Sequence, residues 1–269
     1  MANVLDKILA DKRIEVEDRK VQVPLEDLKE QIAGLSRCRN FFKAVTKPTP
    51  NPRGINVIAE VKRASPSAGL IRPDFDPVAI ARTYQRCGAD AVSVLTDEKY
   101  FQGRLEYLTA VKLAVSVPVL RKDFIIDPYQ VYEARAAGAD AILLIGEALM
   151  LAELSDLLIL ASQLTLTVLL EVHEADVLMA VRSLIGFPQW GFSIMGINNR
   201  NLATLEVDLN TTSRLAGLLE DPDGLVAESG IKTRADVEKM KAAGATAVLV
   251  GKTLCEHGDI EQKFIELFG

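Results

Sequence analysis

The chain is poor in the residues that staple, ligate or anchor. Three of its 269 residues are cysteine, Cys38, Cys87 and Cys255. They are odd in number, far apart and without CxxC spacing, which argues against a disulfide framework or a thiolate metal site and fits a reducing compartment. The two histidines, His173 and His257, have no second histidine, cysteine or carboxylate at ligand spacing, so no metal site is expected. Long apolar runs are also missing. The most apolar stretch, residues 141–172, is broken by Glu147, Glu153 and Asp156, too soon for a membrane span. Residues 1–13 carry Asp6, Lys7, Asp11 and Lys12, unlike the core of a secretory signal. Basic excess is absent too. The 31 Lys and Arg against 37 Asp and Glu give a net charge of −6 and a pI near 5.2. No global positive field exists to draw nucleic acid or anionic lipid, although a local cationic pocket stays open. These absences predict a soluble cytoplasmic protein with no nucleic-acid or membrane partner.

What is abundant is apolar sequence, 49% of the chain, arranged with an internal echo. GADAVSVL (Gly88 to Leu95), GADAILLI (Gly138 to Ile145) and GATAVLVG (Gly244 to Gly251) each follow a helical segment and lead into an apolar run. A glycine just past a helix suits a left-handed C-cap, and the run suits a strand buried on both faces. The copies start 50 and then 106 residues apart; at roughly 25 to 30 residues per βα unit, that is two units and then four. Five further strands are expected at Val57–Lys62, Pro118–Lys122, Thr167–Val172, Ser193–Asn198 and Leu225–Glu228, making eight. Helices are expected between them, such as Pro77–Cys87, Pro128–Ala137 and Thr233–Ala243. At roughly 150 residues per domain the length would allow two domains, but barrels use about 250 as one. A doubly wound sheet is the rival, yet no strand runs into a GxGxxG turn. The fold class predicted is α/β, a (βα)8 TIM barrel forming one domain over residues 1–269. Residues 1–53 lack the βα rhythm. Helices at Val4–Lys20 and Pro24–Ala33, followed by Pro48, Pro50 and Pro52, predict a helical extension packed on one end of the barrel without a core of its own.

Charged residues that close apolar strands are the ones to question, because barrel chemistry sits at the C-terminal strand ends. Strand one reads Val57-Ile58-Ala59-Glu60-Val61-Lys62, so alternation places Glu60 and Lys62 on one face. Strand three closes on Lys122, strand five on Glu171, strand six on Asn198 with Arg200 beyond, and strand seven on Glu228. Any one of these reads equally well as a solvated rim charge. As a set they are harder to explain structurally, because burying Lys beside Glu costs free energy that apolar residues would avoid. A coupled Lys and Glu cluster is a plausible acid–base apparatus. Glycine-bearing turns at Ser65 to Gly69, Ser229-Gly230 and Gly251-Lys252 suggest a phosphate grip through backbone N–H groups. His257 reads as a surface residue, His173 as packed or exposed near Glu171, and the lone Trp190 as an anchor of its stretch to the barrel.

These motifs resemble the indole-3-glycerol-phosphate synthase family. The resemblance is carried by VIAEVKRASPS (Val57 to Ser67), VLTDEKYFQG (Val94 to Gly103), LRKDFIID (Leu120 to Asp127), LLEVH (Leu169 to His173), GINNRNL (Gly196 to Leu202), AESGI (Ala227 to Ile231) and VLVGKTL (Val248 to Leu254). It covers essentially the whole chain, the helical extension included. It implies ring closure of 1-(2-carboxyphenylamino)-1-deoxyribulose 5-phosphate to indole-3-glycerol phosphate, with loss of CO2 and water, in tryptophan biosynthesis. By family correspondence the catalytic residues are Glu60, Lys62, Lys122, Glu171, Asn198 and Glu228. Lys122 is the general acid on the ketone, and Glu60 with Lys62 is the pair for dehydration. Glu171 is either a base or a partner of the anilinium nitrogen, and Glu228 holds Lys122 or a substrate hydroxyl. Asn198 and Arg200 orient the carboxylate and hydroxyls, Phe101 and Phe124 form an apolar slot for the ring, and Leu249 joins the binding residues. Ser65, Ser229, Gly230 and Gly251 bind phosphate. Lys252 stands where small hydroxyl residues are common in the family, and its ammonium either strengthens the grip or points away. No cofactor is implied, because the iminium formed on ring closure is itself the electron sink. The partner is one phosphorylated small molecule, and a monomer is expected. The alternatives are another phosphate-binding barrel enzyme such as phosphoribosylanthranilate isomerase, which calls for a Cys or Asp acid–base pair and finds no Cys at a strand end here, a Schiff-base lysine aldolase, or an inactive barrel used as a binding module.

Overall fold

The computed structural model describes residues 3–48, 53–219 and 224–269; Pro50 and Pro52 of the expected chain break lie outside them. Eight parallel strands close into a barrel: β1 (Asn56–Val61), β2 (Ala91–Leu95), β3 (Val119–Lys122), β4 (Ala141–Ile145), β5 (Thr167–Val172), β6 (Ser193–Asn198), β7 (Leu225–Glu228) and β8 (Ala247–Val250). Each strand pairs with its neighbours in the chain, and β8 closes on β1 with Asn56 beside Ala247. This is the expected barrel, with Lys62 standing one residue past β1. A short ribbon, Ala64–Ser65 against Gly69–Leu70, follows it.

The echo has a local cause. Gly88, Gly138 and Gly244 hold φ of +92°, +93° and +90°, the left-handed turn that ends a helix and that a side chain resists. In two copies the aspartate after the alanine then fixes the base of the neighbouring strand. Asp90 accepts from the Val57 N–H and Asp140 from the Val119 N–H, both at 2.9 Å. Helices begin as sharply as they end: Asp76 caps α4 (Pro77–Arg86) and, beyond α6 (Leu105–Ala114), Asp127 caps α7 (Pro128–Ala136), the two capped helices each with proline at the first helical turn.

Strand parity divides the interior in two. Val57, Ala59, Val61, Val92, Val94, Ile142 and their like point outward and pack under the helices. Ile58, Ala91, Leu120, Leu143, Leu169, Ile194, Val226 and Leu249 point inward and fill the barrel. On that inward parity, the residue two positions further along a strand toward its C-terminal end is the one that reaches the mouth.

The extension reaches both ends of the barrel, where one was expected. Helix α1 (Val4–Gln22) has 19 residues, about 28 Å of helix. Its Leu5, Ile8 and Leu9 join the inner core over the mouth. Val16 of α1 and Leu28 of α2 (Leu25–Ala33) pack on Tyr129 of α7 at the barrel's side. A further helix that the sequence did not suggest, α3 (Phe41–Thr46), closes the base: Phe41 and Val45 join the inner core, and the Val45 carbonyl accepts from Asn56 and Thr246 at 3.1 Å. Trp190 does not anchor its stretch to the strands. It is 61% exposed and stands edge-on to Phe42 of α3, with ring centroids 5.7 Å apart.

Candidate active site

The inward parity brings five polar side chains to one opening. Glu60 follows Ile58 on β1, Lys122 follows Leu120 on β3, and Glu171 follows Leu169 on β5, each two residues on and so on the same face. Asn198 ends β6 and Glu228 ends β7, paired in register. The Lys122 ammonium lies between two carboxylates, 2.9 Å from Glu171 and 3.0 Å from Glu228. Asn198 donates to the other oxygen of Glu171 at 2.8 Å. Glu60 pairs with Lys62, whose ammonium sits 6.0 Å from the Phe101 ring centroid. One oxygen of Glu60 and one of Glu228 are buried with no hydrogen-bond partner among the described residues. Acceptors left open in a low-dielectric cavity are costly unless a ligand meets them.

The electrostatics follow from burial and proximity. Burial alone would favour the neutral amine of Lys122, but Glu171, Glu228 and Glu60 more than offset it and hold the ammonium above lysine's usual range. Glu171 moves the other way from what burial asks, held low by Lys122 and by the Asn198 hydrogen bond. Glu228 is pushed up to about 8, by burial first and by the Glu171 charge beside it, against the pull of Lys122. Two buried carboxyls around one ammonium thus have proton affinities driven apart, the usual basis for dividing acid and base roles.

Glycines make this crowding possible. A Cβ at Gly196 would stand 2.6 Å from a Glu228 oxygen, and one at Gly251 would collide with the Glu60 carboxylate. Gly251, expected as a phosphate contact, therefore also leaves room for Glu60. The role of Gly196 was missed by sequence reasoning, although a lone glycine in an apolar strand signals close approach.

The remaining expected residues line the same cavity: Ser65, Phe101, Phe124, Arg200, Ser229, Gly230, Leu249, Gly251 and Lys252. Phe101 and Phe124 pack on each other with centroids 6.1 Å apart, tilted by 39°, too close to admit a ring between them, so they form one apolar wall of the cavity rather than the two sides of a slot. The Arg200 guanidinium is turned to the Leu205 carbonyl at 2.8 Å, and its backbone N–H to the Asn198 side chain at 2.9 Å. Ser229 and Gly230 both adopt left-handed φ, +65° and +82°, a turn in which successive N–H groups can face one anion. Asn199 donates to the Ser229 carbonyl at 3.2 Å and holds the turn. Lys252 lines the opening, and its ammonium, on a side chain 48% exposed, lies 3.8 Å from Glu256. The His173 ring nitrogen is engaged by the Asn198 carbonyl at 2.8 Å rather than by Glu171. Sequence reasoning also missed Val4, Leu5 and Ile8, which bring the start of α1 into the cavity wall. Among the described residues no group of three or more His, Cys, Asp and Glu could hold a metal ion, and no helix is long and apolar enough to cross a membrane.

A sequence model of the indole-3-glycerol phosphate synthase family matches residues 5–267. The chain belongs to that family. Indole-3-glycerol phosphate synthase of Geobacillus kaustophilus is 49% identical over 266 residues, covering 99% of this chain and 97% of the relative. The Neisseria meningitidis serogroup B protein of the same name is 47% identical over 271 residues and covers both chains fully. Among solved structures, N-acetylmannosamine-6-phosphate 2-epimerase from Clostridium perfringens superposes with a TM-score of 0.58 at 13% identity, over 82% of this chain and 93% of that one. Thiamine phosphate pyrophosphorylase from Pyrococcus furiosus gives 0.57 at 15%, over 81% and 96%. At those identities the likeness shows the barrel fold alone.

Proposed function

We propose that this member of the indole-3-glycerol phosphate synthase family closes the indole ring of 1-(2-carboxyphenylamino)-1-deoxyribulose 5-phosphate, with Lys122 as the general acid. The observation that carries the reading is the Lys122 ammonium held between Glu171 and Glu228 at the mouth, in the cavity whose apolar wall is the Phe101–Phe124 pair. The ring carbon bearing the carboxylate attacks the ketone carbon. As that bond forms, the carbonyl electron pair moves to oxygen, which takes a proton from Lys122 and becomes a hydroxyl. An alkoxide is far more basic than a lysine, so even a tightly held ammonium donates to it. The resulting iminium accepts the electron pair of the carbon–carboxylate bond, and CO2 leaves; the step places the enzyme among the carbon–carbon lyases. The hydroxyl then departs as water on a proton from Lys62, while a base removes the neighbouring CH2 proton to complete the indole. Glu60, paired with Lys62 and bearing one open oxygen, is placed for that base role. Asn198 fixes Glu171 against Lys122, Arg200 meets the substrate's hydroxyls or carboxylate, and the Ser229-Gly230 turn with Gly251 and Ser65 takes the phosphate. Leu249 floors the cavity. Lys252 adds its backbone N–H there, its ammonium lying on the exposed side near Glu256 in a pair too loose to hold it. In the same reading the protein is a cytoplasmic monomer acting on a free small molecule, with no nucleic-acid partner, in keeping with its net charge of −6.

The test is direct. Purified protein mixed with the substrate should generate indole fluorescence with release of CO2. Unchanged substrate after prolonged incubation at high enzyme concentration would overturn the assignment.

A further inference from the structure

Lys12, in the middle of α1, is 1% exposed and reaches three carboxylates, Glu15 at 2.8 Å and Asp97 and Asp123 at 2.9 Å. It does not line the cavity. Both distant partners sit at the root of a loop that carries one of the two cavity phenylalanines. Asp123 accepts from the Phe124 N–H at 2.8 Å and is braced by Thr96 at 2.6 Å and Arg121 at 3.1 Å. Asp97 caps the single-turn helix α5 (Glu98–Phe101) by accepting from the Tyr100 N–H at 2.7 Å.

Helix α1 holds α5 residue by residue. Asp97 pairs with Lys12, Glu98 with Arg19 at 3.0 Å, and Lys99 with Asp11 at 2.7 Å; Tyr100 donates its hydroxyl to Asp11. The next residue is Phe101, packed on Phe124. Four consecutive residues are thus registered on one helix just before the chain enters that wall. Apolar burial of α1 is already supplied by Leu5, Ile8, Leu9 and Val16, and a buried ammonium among carboxylates is a weak way to add stability. What it adds is direction: one donor group fixes two loops relative to each other.

We propose that Lys12 is a positioning residue for the aromatic half of the substrate, setting the spacing of Phe101 and Phe124 through Asp97 and Asp123 from outside the barrel wall. The proposal rests on the reading of the mouth as an indole-forming site. The phosphate turn after β7 lies outside this set of contacts, so Lys12 governs ring binding and leaves phosphate binding alone.

The experiment compares wild type with Lys12→Met, at a temperature where circular dichroism shows both fully folded. Steady-state kcat and KM are read together with fluorescence titrations of indole-3-glycerol phosphate and competition by inorganic phosphate. In Lys12→Met, kcat/KM should fall about 10- to 100-fold, as expected for a misplaced binding wall remote from the chemistry. KM and the product's Kd should rise together, and the phosphate inhibition constant should stay within about twofold of wild type. A folded variant with wild-type KM and product Kd, or with phosphate binding weakened in parallel, overturns the proposal. Should Lys12→Met fail to fold, Asp97→Asn weakens the Lys12 pair while its amide oxygen can still cap α5. It should raise KM about threefold with kcat unchanged, and an unchanged KM overturns the proposal equally. Wild-type protein that makes no indole would instead sink the reading of the site.

Discussion

Two ionic clusters face each other across one strand of the barrel wall. Inside, Lys122 lies among Glu171, Glu228 and the Glu60–Lys62 pair. Outside, Lys12 and Arg121 lie among Asp97, Asp123 and Glu133, with Arg121 2.7 Å from Glu133 and 3.1 Å from Asp123. The chemistry of the components is the same, and their completeness differs. In the outer cluster the one carboxylate oxygen without a hydrogen bond, on Glu133, still lies 2.7 Å from the Arg121 guanidinium, and Asp123 is held below the usual carboxylate range: burial would raise it, but Lys12 and Arg121 prevail. In the inner cluster two carboxylate oxygens stay open, and Glu228 is pushed up rather than down. A satisfied buried network rigidifies, whereas an unsatisfied one holds interaction free energy in reserve for a ligand. The comparison teaches that charge alone does not mark an active site; open valence in a cavity does.

The contrast can be broken from the inner side first. Lys122→Met should lower kcat by about 10³-fold or more while leaving phosphate-ester binding within a few-fold, because its proton matters as charge develops on the ketone oxygen. Single-turnover fluorescence checks this, and retention of most of the rate would remove Lys122 from the acid role. The outer side should respond in stability instead. Asp123→Asn leaves Lys12 and Arg121 short of a partner and should cost about 3 to 5 kcal/mol of unfolding free energy at neutral pH. Because its folded-state pKa is depressed, Asp123 stabilises the fold above the unfolded value near 3.8, and that contribution is lost as pH falls through the lower folded value. Below about pH 4 the denaturation curves of wild type and Asp123→Asn should therefore converge; a constant gap down to pH 2 would contradict the pairing. The smallest effect sharpens the comparison. Gly251→Ala drives a methyl into the buried Glu60 carboxylate and to 3.1 Å from its Cβ, and should lower kcat/KM about tenfold and Tm by several degrees, read by steady-state assay and thermal denaturation.

Much of this was legible in the sequence, for reasons that can be named. Parallel strands buried on both faces read as apolar runs, so a closing Glu60, Lys122, Glu171 or Glu228 stands out against its background. The glycine echo marks a helix end that only one backbone conformation satisfies. What escaped reading depends on contacts between distant segments. Lys12 looks like any charge on a surface helix, because nothing near it in the chain reveals that Asp97 and Asp123 will bury it. Helix α3 is six residues long, too short for periodicity to register, and its place under the barrel comes from Phe41 and Val45 meeting an interior built by other strands. Ser229 adopts a left-handed turn usually reserved for glycine, so its residue type gives no warning.

Lys122 and Asp123 are consecutive, and the pleat sends one into the chamber and the other into the wall. Removing or adding a single residue within β3 would exchange their destinations, placing an acid where the proton donor belongs and a loose amine among the supports. The length of that segment is therefore as tightly constrained as the identity of its lysine.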